Sequence, residues 1–309
     1  MRIVVVGPGA LGCLLTTLLA EAGQDVLLMD HRADRADFIN RRGVTIEGLG
    51  GERRVRVKVS SSPADVFSAD LVLICVKAYQ TESAIHPLVS ALGAEARILT
   101  LQNGLGNVEA LAEACGADKV WGGVTAQGAT MLGVGQIRHA GAGETVIGAV
   151  SPRGQAERLS EISDLFNQAG LPARVAEDVQ SLIWSKLIVN VGINALTAVT
   201  HLRNGQLLDY PETRRVLEQA VAEAVAVVKA LNIDLIYPDA EGRVKDVARA
   251  TATNVASMLQ DVLAKRRTEI DYINGAVAKH GREMGVPTPV NETLAGLVKT
   301  IELSYGRGV

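Results

Sequence analysis

The chain opens with Arg2-Ile3-Val4-Val5-Val6-Gly7-Pro8-Gly9-Ala10-Leu11-Gly12, and this stretch decides the fold. Residues 2–6 are the short aliphatic run of a strand buried on both faces. Residues 10–22 read as an apolar helix closed by Gly23. Between the two, Gly7, Pro8, Gly9, Ala10, Leu11 and Gly12 fit G-x-G-x-x-G, in the strand–turn–helix setting that gives the motif meaning. Gly7 makes the tight turn, Gly9 lets the backbone approach a pyrophosphate, and Gly12 lets helix and strand pack closely. Free N–H groups and the helix dipole at residue 10 favour an anion. Without a ligand, the same glycines would serve only a tight strand–helix junction.

Outward from this unit the alternation continues. Residues 25–29, 71–76 and 97–101 read as strands, and 81–92 and 105–115 as helices. Strands alternating with helices predict a doubly wound α/β domain of Rossmann type. Residues 121–147 are glycine-rich and read as short antiparallel strands. A helix over 155–169 and a strand over 174–176 complete the first domain. After Asp178 only helical periodicity remains, with helices expected over 179–199, 213–231, 240–260, 269–284 and 291–305. The expected organisation is a dinucleotide-binding domain over 1–177 and an all-helical substrate and catalytic domain over 178–309.

Composition narrows the class. The 309 residues are 48% hydrophobic but only 3% aromatic, so the core is aliphatic, and 31 are glycine. The apolar content and a net charge of −3 exclude disorder and give no basic footprint for nucleic acid. The most apolar stretch, 182–199, is interrupted by Lys186, Asn190 and Asn194, so no membrane span is expected. Three scattered cysteines, Cys13, Cys75 and Cys115, suggest reduced thiols in a cytoplasmic protein and no metal site.

Four groups of residues carry candidate chemistry. Asp30 lies 18 positions after Gly12, near the spacing of a ribose-binding acid that favours NAD. Arg32, with His31 beside it, could receive a 2′-phosphate and favour NADP, and the sequence leaves both open. Lys186, Asn190 and Asn194 stand at i, i+4 and i+8 on an otherwise apolar helix, where a desolvated lysine becomes a proton donor near neutral pH. A solvent-facing polar stripe is the bland alternative. Leu101-Gln102-Asn103-Gly104 follows a strand at its ligand-binding end, although Asn-Gly is commonly just a turn. Glu269 lies in Thr268-Glu269-Ile270-Asp271-Tyr272-Ile273-Asn274-Gly275, where it could also be a plain helix-start carboxylate.

Taken in order, several stretches resemble the ketopantoate reductase (2-dehydropantoate 2-reductase) family over essentially the whole chain. They are G-P-G-A-L-G at 7–12, V-K-A at 76–78, L-Q-N-G at 101–104, I-R-H-A-G-A-G at 137–143, W-S-K-L-I-V-N-V-G-I-N-A-L-T-A at 184–198, S-M-L-Q-D at 257–261 and T-E-I-D-Y-I-N-G at 268–275. The resemblance implies reduction of 2-dehydropantoate to pantoate by NADPH, a step towards pantothenate and coenzyme A. It makes Lys186 the catalytic lysine and Glu269 its partner. It assigns Asn103, Asn190, Asn194 and Ser257 to substrate or nicotinamide, Lys77 to the cofactor edge and Asn254 to the pocket. The sequence departs from the family at the end of the second strand, where an Asp stands and Arg32 is displaced by one. NADP(H) is therefore the expected cofactor, with NAD(H) left open by Asp30. A reductase of another 2-oxo acid is the nearest alternative, and a non-catalytic NAD(P)H-binding regulator a more distant one. Apolar helices in the second half, such as 220–228, suggest a homodimer.

Overall fold

The computed structural model describes residues 1–151 and 156–306, so the expected helix start at Gln155 and the last three residues lie outside the described residues. The chain forms two compact units. The first comprises Met1–Gln102 and Gly106–Val179, the second Asn103–Leu105 and Gln180–Val309.

In the first unit the elements run β1 (Arg2–Val6), α1 (Ala10–Glu21), β2 (Asp25–Met29), α2 (Ala33–Arg42), β3 (Val44–Gly48), β4 (Arg53–Val55), β5 (Lys58–Ser60), β6 (Leu71–Ile74), α3 (Thr81–Ile85), β7 (Arg97–Thr100), α4 (Asn107–Cys115), β8 (Val120–Thr125), β9 (Gly128–Gly133), β10 (Gln136–Gly141), β11 (Thr145–Ala149), α5 (Ala156–Gln168) and β12 (Ala173–Val175). Eight strands form the main sheet in the order β12-β11-β8-β7-β6-β1-β2-β5, parallel except where β11 runs against β8. The strand side chains alternate between two cores. Ile3 and Val5 of β1 join Leu14, Leu28 and Leu73 on one face, while Val4 and Val6 join Met29, Val72 and Ile74 on the other. Both faces are covered, which is why these strands are continuously aliphatic.

The glycine-rich region divides between two sheets. β8 and β11 pair in the main sheet, whereas β9 and β10 pair in a four-stranded sheet of order β4-β3-β10-β9. β9 and β10 are short antiparallel strands, as expected for 121–147, whereas β3, β4 and α2 carry no clear sequence signal. Pro87 ends the expected helix over 81–92 early, because it lacks an N–H and cannot extend the ladder. α3 stops at Ile85 and the chain continues as a 3₁₀ turn over His86–Ala91.

The second unit is helical: α6 (Val179–Thr200), α7 (Pro211–Ala230), α8 (Ala240–Ala250), α9 (Ser257–Leu263), α10 (Asn274–Met284) and α11 (Pro289–Leu303). By length and composition α6 could cross a membrane, yet 72% of its most apolar window is buried within the protein. Leu187, Ile188, Val191, Ile193 and Leu196 place it in the core of this unit. Each such aliphatic side chain contributes about 1.5–3 kcal/mol. The apolar face of α7, with Ala220, Val221, Ala224, Val227 and Val228, packs into the same core and leaves no free dimer face there.

Two expected helices are broken. The 240–260 helix stops at Ala250, where the Thr251 hydroxyl bonds back to the Val247 carbonyl at 2.7 Å. The freed carbonyls of Ala252 and Asn254 accept the N–H groups of Gly205 and Asn204. Threonine and asparagine compete with the helix ladder in this way. The 269–284 helix becomes a 3₁₀ turn over Ile270–Tyr272, a kink at Ile273 (φ −112°, ψ −94°), and then α10. Glu269 therefore precedes a 3₁₀ turn and does not start an α-helix.

Candidate active site

The glycine turn is strained in ways that only glycine allows. Gly7 has φ +107°, and a Cβ there would lie 2.9 Å from the Val76 nitrogen. A Cβ on Gly12 would fall on the Gly7 carbonyl oxygen. Gly9 differs: its φ of −74° suits any residue, and the nearest atom to an added Cβ is the Cys75 carbonyl at 3.7 Å. The fold does not require glycine at 9, whereas close approach of a ligand to the backbone would. α1 starts here with no side-chain cap and no acidic residue in its first turn. Its leading N–H groups are thus suited to a diphosphate. The residues present fit a dinucleotide. Burial pushes the thiols of Cys13, beneath the turn, and Cys75 up to about 12, so they act as packing.

At the carboxyl ends of the neighbouring strands, Lys77 precedes a 3₁₀ turn over Ala78–Gln80. Gln102 joins the ends of β6 and β7, donating to the Val76 carbonyl at 2.8 Å and to the Thr81 hydroxyl at 2.9 Å. Asp30 sits at the end of β2. Its carboxylate is fully enclosed and is gripped by Arg35, a residue the sequence reading passed over. Arg32 is exposed and pairs with Asp34.

In the second unit, α6 carries Lys186, Asn190 and Asn194 in one line. Lys186 keeps some solvent contact as a residue, but burial around its ammonium lowers its pKa from 10.5 to about 8. Glu269, itself buried, opposes that shift electrostatically. Asn194 is buried, and the Asn190 amide nitrogen is buried without a hydrogen-bond partner in the protein. An unsatisfied buried donor costs about 1–3 kcal/mol, a cost that a bound acceptor would remove.

Side-chain contacts hold this helix in place on both sides of Lys186. Tyr237 Oη donates to the Ser185 carbonyl at 2.5 Å, and the Ile236 N–H donates to Ser185 Oγ at 3.1 Å. Asn274 Nδ2 donates to the Val191 carbonyl at 3.3 Å and to Asn291 Oδ1 at 3.0 Å. Asn291 in turn donates to Glu223 at 2.8 Å. Asn103 itself belongs to the second unit and is followed by Gly104, whose φ is +86° and whose absent Cβ would lie 2.6 Å from the Tyr272 carbonyl. The Leu105 N–H donates to that carbonyl at 2.9 Å. Tyr272 closes the turn that begins at Glu269, since its N–H donates to the Glu269 carbonyl. Ser257 is the first residue of α9 and half-buried, whereas Asn254 is exposed in the preceding loop. Among the described residues no cluster of three metal-ligating side chains occurs.

The model of the family described as ketopantoate reductase PanE/ApbA matches residues 3–152, and that of its C-terminal part matches residues 178–302. The chain belongs to the ketopantoate reductase family. A curated member, the 2-dehydropantoate 2-reductase of Halobacterium salinarum, is 41% identical over 97% of this chain and 98% of its own. Among solved structures, the PanE/ApbA family ketopantoate reductase of Ralstonia eutropha JMP134 is similar with a TM-score of 0.89 at 33% identity, covering 98% of each chain. D-mandelate dehydrogenase, solved with NADH and anilino(oxo)acetate, gives a TM-score of 0.93 at 26% identity over 99% of this chain and 100% of that one. The fold of the family is the one described above, a Rossmann-type sheet followed by a helical C-terminal part.

Proposed function

We propose that this protein reduces 2-dehydropantoate to (R)-pantoate with a nicotinamide dinucleotide as donor. The observation that carries the proposal is Lys186, a lysine desolvated to a pKa of about 8 on the same helix line as an unsatisfied asparagine donor. Residues 1–177 hold the dinucleotide in this reading, at Gly7 to Gly12, Lys77 and the end of β2. Residues 178–309, with Asn103, hold the 2-oxo acid. The bound cofactor supplies the hydride. As charge grows on the ketone oxygen, the Lys186 ammonium polarises that oxygen and passes it a proton. Glu269 keeps Lys186 protonated near neutral pH and orients its ammonium or the substrate hydroxyl. Asn190, Asn194 and Ser257 bind the hydroxyl and carboxylate of the substrate, and Asn103 helps to align the ketone. At pH 7 a group with a pKa of about 8 is some 90% protonated, as a general acid requires.

D-mandelate dehydrogenase, as a structural neighbour, favours a second reading in which the substrate is a different 2-oxo acid. The polar line on α6 supports the smaller, hydroxyl-bearing acid, because an aryl group would leave the Asn190 donor unmatched. Steady-state reduction of 2-dehydropantoate, an arylglyoxylate and branched aliphatic 2-oxo acids separates the two. The highest kcat/KM is expected for 2-dehydropantoate. Cofactor oxidation with none of these acids would refute the proposal.

A further inference from the structure

Asp30 occupies the position at which an acid would take the ribose hydroxyls of a dinucleotide. Its side chain has no accessible surface. Arg35, in the first turn of α2, holds both carboxylate oxygens, Nε on Oδ2 and Nη2 on Oδ1, the latter at 2.6 Å. The Arg32 backbone N–H adds a bond to Oδ1 at 3.1 Å. A carboxylate accepts in about four directions, so most of its capacity is already used. A ribose hydroxyl cannot bond to an oxygen that has no surface. What faces solvent beside the enclosed acid is the Arg35 guanidinium, whose side chain is 28% exposed, whereas Arg32 is neutralised by the exposed Asp34.

We propose that Arg35 determines cofactor choice. By sequestering Asp30 it removes the acid that would hold the 2′-hydroxyl of NADH and repel the 2′-phosphate of NADPH. Its outer edge leaves a positive rim for that phosphate. Towards Asp30 it is a positioning residue. The inference rests on the reading of the first unit as a dinucleotide site, and it makes NADPH the preferred donor.

The test compares the full-length protein with Arg35→Gln and Asp30→Asn. Affinity for NADPH and NADH is measured by fluorescence titration, and KM for both with the best 2-oxo acid. The parent is expected to bind NADPH at least about tenfold more tightly than NADH, the scale of one charge-assisted hydrogen bond. Arg35→Gln should shrink that ratio by about tenfold or more and should also tighten NADH in absolute terms, because Asp30 becomes available. Asp30→Asn should leave the ratio within about threefold of the parent, since the enclosed acid takes no part. A ratio unmoved by Arg35→Gln overturns the proposal. So does a ratio that falls through loss of NADPH alone, which would make Arg35 a simple phosphate contact. Should Arg35→Gln fail to fold, Asp30→Asn decides: a tenfold gain in NADPH preference would show that the acid faces the cofactor. A parent that binds neither dinucleotide refutes the site in the first unit itself, a result distinct from any change in ratio.

Discussion

Raising the pH should switch turnover off through Lys186. Burial lowers its pKa from 10.5 to about 8, and the Glu269 carboxylate limits the fall. A general acid works while protonated, so kcat should hold a plateau below about pH 8 and decline as pH rises through that value. With that midpoint, about a tenth of the protein carries the proton at pH 9 and about a hundredth at pH 10, which sets a tenfold and then a hundredfold loss of kcat. A solvated lysine titrating near 10.4 would lose only about 4% at pH 9. Glu269→Gln removes the charge that holds the value up, so the midpoint should move to lower pH. The assay is a single-turnover kcat profile from about pH 6 to 10.5 at saturating dinucleotide and 2-oxo acid, which isolates the chemical step. A profile still flat at pH 9.5, or a midpoint that Glu269→Gln moves upward, would refute the assignment of Lys186 as the acid.

Other perturbations test other parts of the structure. Lys186→Met should lower kcat by about 100-fold or more in steady-state assays while leaving dinucleotide affinity intact by titration. Gly9→Ala should weaken dinucleotide binding by titration while the urea midpoint stays put, since nothing in the fold opposes a Cβ there. Gly12→Ala, by contrast, should cost about 3 kcal/mol in the same unfolding measurement, because its Cβ meets the Gly7 carbonyl oxygen. Asn274→Leu strips donors from the Val191 carbonyl and Asn291 and should cost about 2–3 kcal/mol; KM for the 2-oxo acid should rise more than KM for the dinucleotide, and equal changes would argue against a role in placing α6.

The parts of the fold that could be read in the sequence are those whose signal is local. β1, the glycine turn and α1 are contiguous, and each residue's role follows from its neighbours. α6 is legible because three polar residues at helical spacing stand out against an aliphatic background. The joining of β9 and β10 to β3 and β4 in a separate sheet was illegible for the opposite reason: Arg138 of β10 meets Glu47 of β3 across 91 positions of chain. β4 and β5 have three residues each, and α2 buries only Ala36 and Ile39, so no periodicity emerges. Arg35 went unread with α2, and with it the fate of Asp30. The helix breaks at Thr251 and Ile273 depend on hydrogen bonds and backbone angles to which hydrophobic period is blind. In the site, residue types suggested a proton donor and amide partners, but the linkage of Lys186 to Glu269 came only from the family resemblance. The contacts of Ser185 with Tyr237, and of Val191 with Asn274 83 positions away, needed three-dimensional structure.

The short segment Asn103–Leu105 has a consequence for how the chain is made. It belongs to the second unit, where Leu105 is part of the core and bonds to the Tyr272 carbonyl. During synthesis at about 5–20 residues per second, that partner leaves the ribosome roughly 8–33 s after Leu105 does. Through this interval an apolar side chain and the left-handed turn at Gly104 wait without their counterpart. A fragment starting at Gln180 would lack them altogether. The helical half is thus not a separable module of the gene: its completion is deferred to late translation and depends on three residues encoded in the first half.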